Sequence, residues 1–221
     1  MIPPEASAEF VFAMEQTLDL YQQAYNPQEP LVCFDETSKQ LLAETRMPLP
    51  MQPGEPLRYD TEYERRGTAN LFMFFEPLAN WRHVEVTDRR TMIDFASCMK
   101  ALVDDFYPEV DVIHVVLDNL NTHKLASLYE AFSPEEAHRM VQRLRFHHTP
   151  KHGSWLNMAE IELSILSRQT LAERIADRES LEREIQAWEK GRNDANATID
   201  WQFTTKDARI KLKRLYPSYH T

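Results

Sequence analysis

Three acidic residues stand in sequence settings that could support metal chemistry. They are Asp35 in LVCFDE, Asp118 in VIHVVLDNLNTH and Glu160 in PKHGSWLNMAEIEL. Both aspartates follow apolar runs typical of buried strands, where a charge costs free energy unless something binds it. Carboxylates gathered from separate segments are the ligands that a pair of Mg²⁺ ions needs for phosphoryl transfer. The pattern therefore indicates an enzyme that acts on nucleic acid.

The segment before Asp118 predicts where that residue lies. Residues 110–117 form an almost unbroken apolar run, which is typical of a strand buried on both faces of a parallel sheet. Asp118 would then stand at the carboxyl end of the strand, where ligand sites collect in open α/β sheets. An Asx turn that caps the next helix is the structural alternative for this polar segment.

The other two acids each have an acidic neighbour. On a strand, Asp35 and Glu36 point to opposite faces, so we expect only Asp35 to join the site and Glu36 to be solvated or supporting. On a helical wheel, Glu160 lies on the apolar arc, whereas Glu162 lies on a different sector. Asn157, one turn earlier, can share the site of Glu160. The spacing therefore favours Glu160 over Glu162.

Composition limits the classes of protein that fit. The 221 residues suffice for one sizeable domain, and 43% hydrophobic and 27% charged residues are ordinary for a globular protein. No apolar run is long enough to cross a bilayer, and no secretory signal is evident. The two cysteines, Cys33 and Cys98, lack a CxxC partner and are expected to be buried free thiols in a reducing cytoplasm. A net charge of −10 argues against a DNA binder that depends on bulk charge.

Periodicity predicts a mixed α/β sheet with helices on both faces. Strands are predicted at residues 31–34, 71–75, 81–86, 110–117 and 145–148. Helices are predicted at residues 5–25, 91–106, 123–144 (broken at 133–134), 155–171, 180–193 and 203–215, the last capped by Thr204 or Thr205. Residues 47–56 carry four prolines and predict an extended loop.

Three motifs carry a family resemblance: FDE at 34–36, LDNLNTH at 117–123 and TPKHGSWLNMAE at 149–160. Together they resemble the DDE transposases of the IS630 group, within the Tc1/mariner superfamily, over most of the chain. The resemblance implies an RNase H-like fold, with three antiparallel strands followed by parallel strands. It also implies a catalytic domain at 29–221, preceded by a helical extension at 1–28.

The same resemblance implies a catalytic, metal-binding triad of Asp35, Asp118 and Glu160 that holds two Mg²⁺ ions, with Mn²⁺ as a substitute. The reaction would be hydrolysis at transposon ends, followed by attack of the freed 3′-hydroxyl on target DNA. Asn119 and His123 would orient Asp118 or the scissile phosphate, as supporting residues do around metal sites.

The implied partners are transposon terminal inverted repeats and TA-rich target DNA, bound by a homodimer in a bacterial cytoplasm, at the nucleoid. The family's helix-turn-helix modules are missing before the first strand, so we expect the catalytic half alone; a separate DNA-binding part is an open alternative. A second reading frame, a truncated copy and a fragment all fit. Two departures from the family pattern are Met158, where proline is usual, and a long interval between Asp118 and Glu160.

Other interpretations remain open. An RNase H-like nuclease would share the chemistry, and a catalytically silent remnant would act as a dimerisation or regulatory module. His147, His148 and His152 have no cysteine beside them, which favours a role in phosphate orientation or loop scaffolding over a zinc site. Possible DNA contacts, with a solvated helix face as an equal alternative for the last five, are Lys151, Lys206, Arg209, Lys211, Lys213 and Arg214.

Overall fold

A five-stranded mixed sheet forms the centre of the protein. The computed structural model describes residues 5–46 and 62–218, so the predicted loop at 47–56 lies outside the described residues. The strands are β1 (Leu31–Glu44), β2 (Tyr63–Glu76), β3 (Trp81–Thr87), β4 (Ile113–Leu117) and β5 (Leu144–His148). Their order is β3-β2-β1-β4-β5. The first three strands pair antiparallel, and β4 and β5 run parallel to β1, which confirms the predicted topology.

Seven α-helices within the described residues surround the sheet. They are α1 (Ala8–Tyr21), α2 (Met92–Ala101), α3 (Ala126–Ala131), α4 (Pro134–Arg143), α5 (Met158–Gln169), α6 (Arg178–Asp194) and α7 (Thr205–Lys211). A π-helical turn at Leu102–Phe106 and 3₁₀ turns at Ser154–Leu156 and Lys213–Leu215 complete the described helical structure. Thr204, rather than Thr205, is the N-cap of α7, and it forms a capping box with Asp207.

The sheet separates two apolar layers because side chains alternate along its strands. Cys33 and Val116 point toward α5 and α6, in one buried cluster. Phe34 and Val115 point toward α2, α3 and α4, in the other. Helices therefore cover both faces, as predicted. Both cysteines are free and buried, which also agrees with the expectation from sequence.

Several predicted boundaries were wrong. Strand β1 does not end at Phe34 but continues to Glu44, since β2 pairs with it along its polar half and satisfies the backbone groups there. The helix predicted at 91–106 becomes a π-helical turn after Ala101. The helix predicted to begin at residue 155 begins as a 3₁₀ turn, and Asn157 then caps a new α-helix.

The first helix packs against the C-terminal elements. Phe10, Met14 and Leu18 of α1 share a buried cluster with Ala208 and Leu215. The Tyr21 hydroxyl donates a hydrogen bond to the Leu156 carbonyl oxygen at 2.8 Å, so α1 also contacts the turn that precedes α5. Within the described residues, no helix combines the length and apolar composition needed to cross a bilayer.

Candidate active site

Adjacent parallel strands bring two of the predicted acids to one edge of the sheet. Cys33 of β1 pairs with Val116 of β4, so Asp35 and Asp118, two residues further on each segment, reach the same level. Alternation along the strands directs both carboxylates toward the face that α5 covers. Asp118 directly follows the last residue of β4, at the carboxyl end that the sequence predicted.

A single asparagine places the third acid. Asn157 is the N-cap of α5, and its side-chain oxygen accepts a hydrogen bond from the Ala159 N–H at 3.1 Å. Its Nδ2 donates to the Phe34 carbonyl oxygen at 2.8 Å and lies 3.4 Å from Asp35 Oδ2. Asn157 is completely buried, and these bonds hold the first turn of α5, with Glu160, beside residues 34–35 of β1.

The pKa of the Asp35 carboxyl is shifted by burial and by the charges of both other predicted acids. Burial is the largest cause that raises the pKa of the Asp35 carboxyl to about 7, against a hydrogen bond from the Glu36 N–H that lowers it. Repulsion by Glu160, and then by Asp118 and Glu36, raises the pKa further. The structure thus brings the predicted acids together in one negative field.

These carboxylates interact without forming a closed ligand cage. Across residues 5–46 and 62–218, no three acidic, histidine or cysteine side chains are arranged so that they could hold a metal ion. Asp118 Oδ1 instead accepts a hydrogen bond from the Leu120 N–H at 3.2 Å. The donor set still fits a hard divalent cation, since all three side chains offer oxygen and their mutual repulsion is what a cation offsets.

His123 contacts Asp118, as its position in the LDNLNTH motif had indicated. Its Nδ1 lies 2.6 Å from Asp118 Oδ1 and its Nε2 lies 3.1 Å from Glu36 Oε2, with the ring almost completely buried. Burial lowers the pKa of His123, but the contacts with Asp118 and Glu36 outweigh it and raise the pKa to about 9. Glu36 is therefore not solvated; its side chain is only 5% exposed.

The remaining polar residues near Asp118 fix loops. The Asn119 side chain donates to the Thr149 carbonyl oxygen at 3.1 Å, rather than to Asp118. His148 Nδ1 lies 3.0 Å from the Asp118 carbonyl oxygen, and His147 Nε2 lies 2.9 Å from His114 Nδ1. These contacts fit a scaffolding role better than a shared metal site for the histidines.

Glu162 shows where the helical wheel misled. It is completely buried, and Arg192 and Arg82 both donate hydrogen bonds to it, at 2.8 and 3.3 Å. The fully buried acid of α5 is thus Glu162, whereas Glu160 is partly exposed. The wheel failed because it treated the helix as having one buried face, while the turn before α5, the sheet and α6 enclose several of its sides.

The predicted DNA contacts divide into two groups. Lys151 is set apart from the others: it helps to line a cleft of about 580 Å³ beside α1, which Asn119, Asn121 and Lys124 also line. In the C-terminal group, Arg209 already binds Glu15 through two hydrogen bonds of 2.8 and 2.9 Å. Lys211 lies 3.7 Å from Asp207. The other three cations are exposed, with no ion pair to the described residues: Lys206, Lys213 and Arg214.

Comparison with known proteins places this geometry in context. A family model described as DDE superfamily endonuclease matches residues 30–182. No curated protein sequence matches the chain. The fold is similar to the Mos1 mariner paired end complex with Mn (TM-score 0.57, 13% identity, 89% of this chain and 59% of that one). It is also similar to the paired end complex with Mg (TM-score 0.56, 14% identity, 99% and 66%).

The isolated catalytic domain of Mos1 mariner transposase matches over its whole length, with a TM-score of 0.52, 9% identity and coverage of 91% of this chain. The chain spans 59% of the length of the Mn-complex protein. At such low identity the likeness concerns the fold, and it confirms the predicted RNase H-like arrangement of a mixed sheet between helices.

Proposed function

Because the chain belongs to the DDE superfamily endonucleases, we propose that it is the catalytic domain of a DNA transposase, with Asp35, Asp118 and Glu160 as its catalytic residues. The observation that carries this proposal is the meeting of three acids from β1, β4 and α5 in one negative field around Asp35. A silent remnant would gain nothing from keeping such a costly cluster.

The three carboxylates would hold two divalent ions, Mg²⁺ or Mn²⁺. When bound, such ions activate a water or a 3′-hydroxyl and stabilise the leaving oxygen of a phosphodiester. The chain's own residues prepare this site. Asn157 fixes Glu160 against β1, and His123 holds one oxygen of Asp118. The solved structures similar to this fold were crystallised with Mn and with Mg, which supports the choice of metal.

The proposed substrates are transposon terminal inverted repeats and a TA-rich target. Other solved structures similar to this fold are a Mos1 transposase paired-end complex with left transposon end and the Mos1 Strand Transfer Complex, which supports end cleavage followed by joining. We further propose a homodimer that works with a separate helix-turn-helix part at the nucleoid, a catalytic domain at 29–221 and membership of the IS630 group. The exposed cations Lys151, Lys206, Lys213 and Arg214 would contact the DNA backbone.

A cleavage and joining assay tests the proposal. The substrate is a plasmid carrying the inverted repeats that flank the gene, incubated with Mn²⁺ and an unmarked target plasmid. Wild type should cut at the repeat ends and join them to the target, whereas Asp118→Asn should do neither. Asp111→Asn, an exposed acid just before the same strand, is the matched control and should keep both activities. Nicking without joining would favour an RNase H-like nuclease, and inactivity of wild type would oppose the proposal.

A further inference from the structure

Glu36 is a buried acid for which the proposed reaction provides no role. It follows Asp35 on β1, and alternation sends its side chain to the opposite face of the sheet, toward the cluster that contains Phe34 and Phe95. Only 5% of the side chain is exposed. Its Oε2 atom is buried and receives no hydrogen bond from the described residues. A carboxylate in such surroundings is costly unless it serves a neighbour.

The neighbour is His123. The imidazole lies between two carboxylates, with Nε2 3.1 Å from Glu36 Oε2 and Nδ1 2.6 Å from Asp118 Oδ1. The first of these contacts lacks hydrogen-bond geometry and is electrostatic, whereas the second is a short hydrogen bond. The rings of Phe34 and Phe95, with centroids 5.7 and 4.8 Å away, restrict the imidazole from the sides.

His123 therefore connects the two faces of the sheet around the end of β4. Glu36 lies on the face that α2 covers, and Asp118 turns toward the face that α5 covers. Asp118 Oδ1 accepts hydrogen bonds from His123 and from the Leu120 N–H. No hydrogen bond from the described part of the chain reaches Asp118 Oδ2, which leaves that oxygen for a ligand.

We propose that Glu36 is a positioning residue that holds the His123 ring and thereby fixes which oxygen of Asp118 is presented to the metal. The inference rests on the proposed function, since it concerns the same site. The role differs from that of Asp35, although the two residues are adjacent: Asp35 faces the other acids, and Glu36 acts through His123. Residues that orient a ligand in this way typically change metal affinity by 10- to 100-fold.

The test compares three variants in two measurements. Glu36→Met keeps the length of the side chain and removes both oxygens, whereas Glu36→Gln keeps a carbonyl oxygen whose partial negative charge still attracts Nε2. Glu76→Met is the matched control, because Glu76 is a buried acid on β2 that is bound by Tyr107 and not by His123. The first measurement is the Mn²⁺ dissociation constant by calorimetry. The second is the downfield proton resonance of the His123 Nδ1–H in metal-free, ¹⁵N-histidine-labelled protein.

Glu36→Met should weaken Mn²⁺ binding at least about tenfold and abolish the downfield resonance. Glu36→Gln and Glu76→Met should stay within about threefold of wild type and keep the resonance, although Glu76→Met lowers the melting temperature. Unchanged Mn²⁺ affinity in Glu36→Met, or an equal loss in Glu76→Met, would overturn the inference. So would the absence of the resonance in wild type.

The two measurements also separate this inference from the proposed function. If wild type bound no Mn²⁺, the proposed function would fail, and with it the metal-presenting role of Glu36. The resonance in Glu36→Met would then still decide whether Glu36 holds His123. If wild type bound Mn²⁺ and Asp118→Asn did not, the proposed site would stand whatever the Glu36 variants did.

Discussion

Two glutamates on α5, two positions apart, are held in opposite ways. Glu162 is completely buried, and the guanidinium groups of Arg82 and Arg192 neutralise it. Glu160 is partly exposed in the first turn and adds its charge to the field around Asp35. One carboxylate thus has cations supplied by the fold, while the other meets further carboxylates.

This difference distinguishes an acid that serves the fold from an acid that serves the proposed reaction. A buried acid that the chain's own cations neutralise needs no ligand. It is compatible with the folded state only while those cations remain. Acids that repel one another make the folded state less stable, and a fold retains them when something outside the chain offsets the repulsion. Glu162 and Glu160 therefore lead to opposite predictions for stability and for activity.

The largest expected effect is on catalysis by Glu160→Gln. Removing one member of a group that acts as a unit typically lowers the rate on the order of 10⁴-fold, and the stability should change by less than about 0.5 kcal/mol. Plasmid cleavage in Mn²⁺ and urea unfolding measure the two quantities. Glu179→Gln, an exposed acid in the first turn of α6, should retain full activity. Retention of a tenth of the wild-type rate by Glu160→Gln would remove it from the site.

Glu162→Met should have the largest effect on stability. It leaves Arg82 buried and unpaired, which should lower the free energy of unfolding by about 3–5 kcal/mol. Replacing Arg82 by Met as well should restore more than half of that loss, because neither completely buried charge then remains. The other partner, Arg192, is 17% exposed, so water can solvate its charge. Urea denaturation followed by circular dichroism checks both values. A loss below about 1 kcal/mol in the single variant would contradict the neutralisation argument.

Asp35→Asn should stabilise the metal-free protein, in contrast to Glu162→Met. The pKa of Asp35 is about 7 in the folded state, above its ordinary value of 3.8. Below pH 3.8 the carboxyl is protonated in both states, and the variant has no advantage. Between pH 3.8 and about 7, wild type progressively loses stability relative to Asp35→Asn, by about 4 kcal/mol in total, and the difference stays constant above that range.

Urea unfolding between pH 4 and 8 in the presence of a chelator measures this difference. Asp88→Asn is the control, since Asp88 is 81% exposed and its effect should not vary over that range. If Asp35→Asn were less stable than wild type at pH 8, the carboxylates would not repel one another as inferred.

The contrast also shows which parts of the protein the sequence could predict. Asp118 was found because the apolar run before it marks a buried strand, and the pattern is local. Asn157 was predicted to lie beside Glu160 from helical spacing, and the structure places it as the N-cap of the helix that carries Glu160. Both predictions depend only on residues close to one another in the chain.

The missed features depend on distant partners. The polar half of β1, from Asp35 to Glu44, is a strand only because β2 pairs with it. Glu162 is tolerated in the core only because Arg82 comes from β3 and Arg192 from α6. The sequence left Glu36 as solvated or supporting, because no local pattern shows that His123 will reach it. Such partners depend on topology, which short-range periodicity does not encode.

The smallest expected effects concern the cations of the C-terminal segment, which divide as the acids do. Arg209 is neutralised by Glu15, whereas Lys213 is exposed and has no ion pair to the described residues. Lys213→Gln should lower the slope of log Kd against log salt for DNA binding by about 1. Arg209→Gln should leave the slope unchanged and have little effect on stability, as is usual for an exposed ion pair.

Fluorescence anisotropy of a labelled duplex at several salt concentrations gives both slopes. Equal decreases for the two variants would mean that DNA competes successfully with Glu15 for Arg209, so that neutralisation in the free protein does not predict which cations bind phosphate. No decrease for either variant would identify this segment as a solvated helix face. A decrease for Lys213→Gln alone would mean that cations follow the same rule as Glu160 and Glu162. Under that rule, the charges that the fold leaves unpaired are the ones that bind ligands.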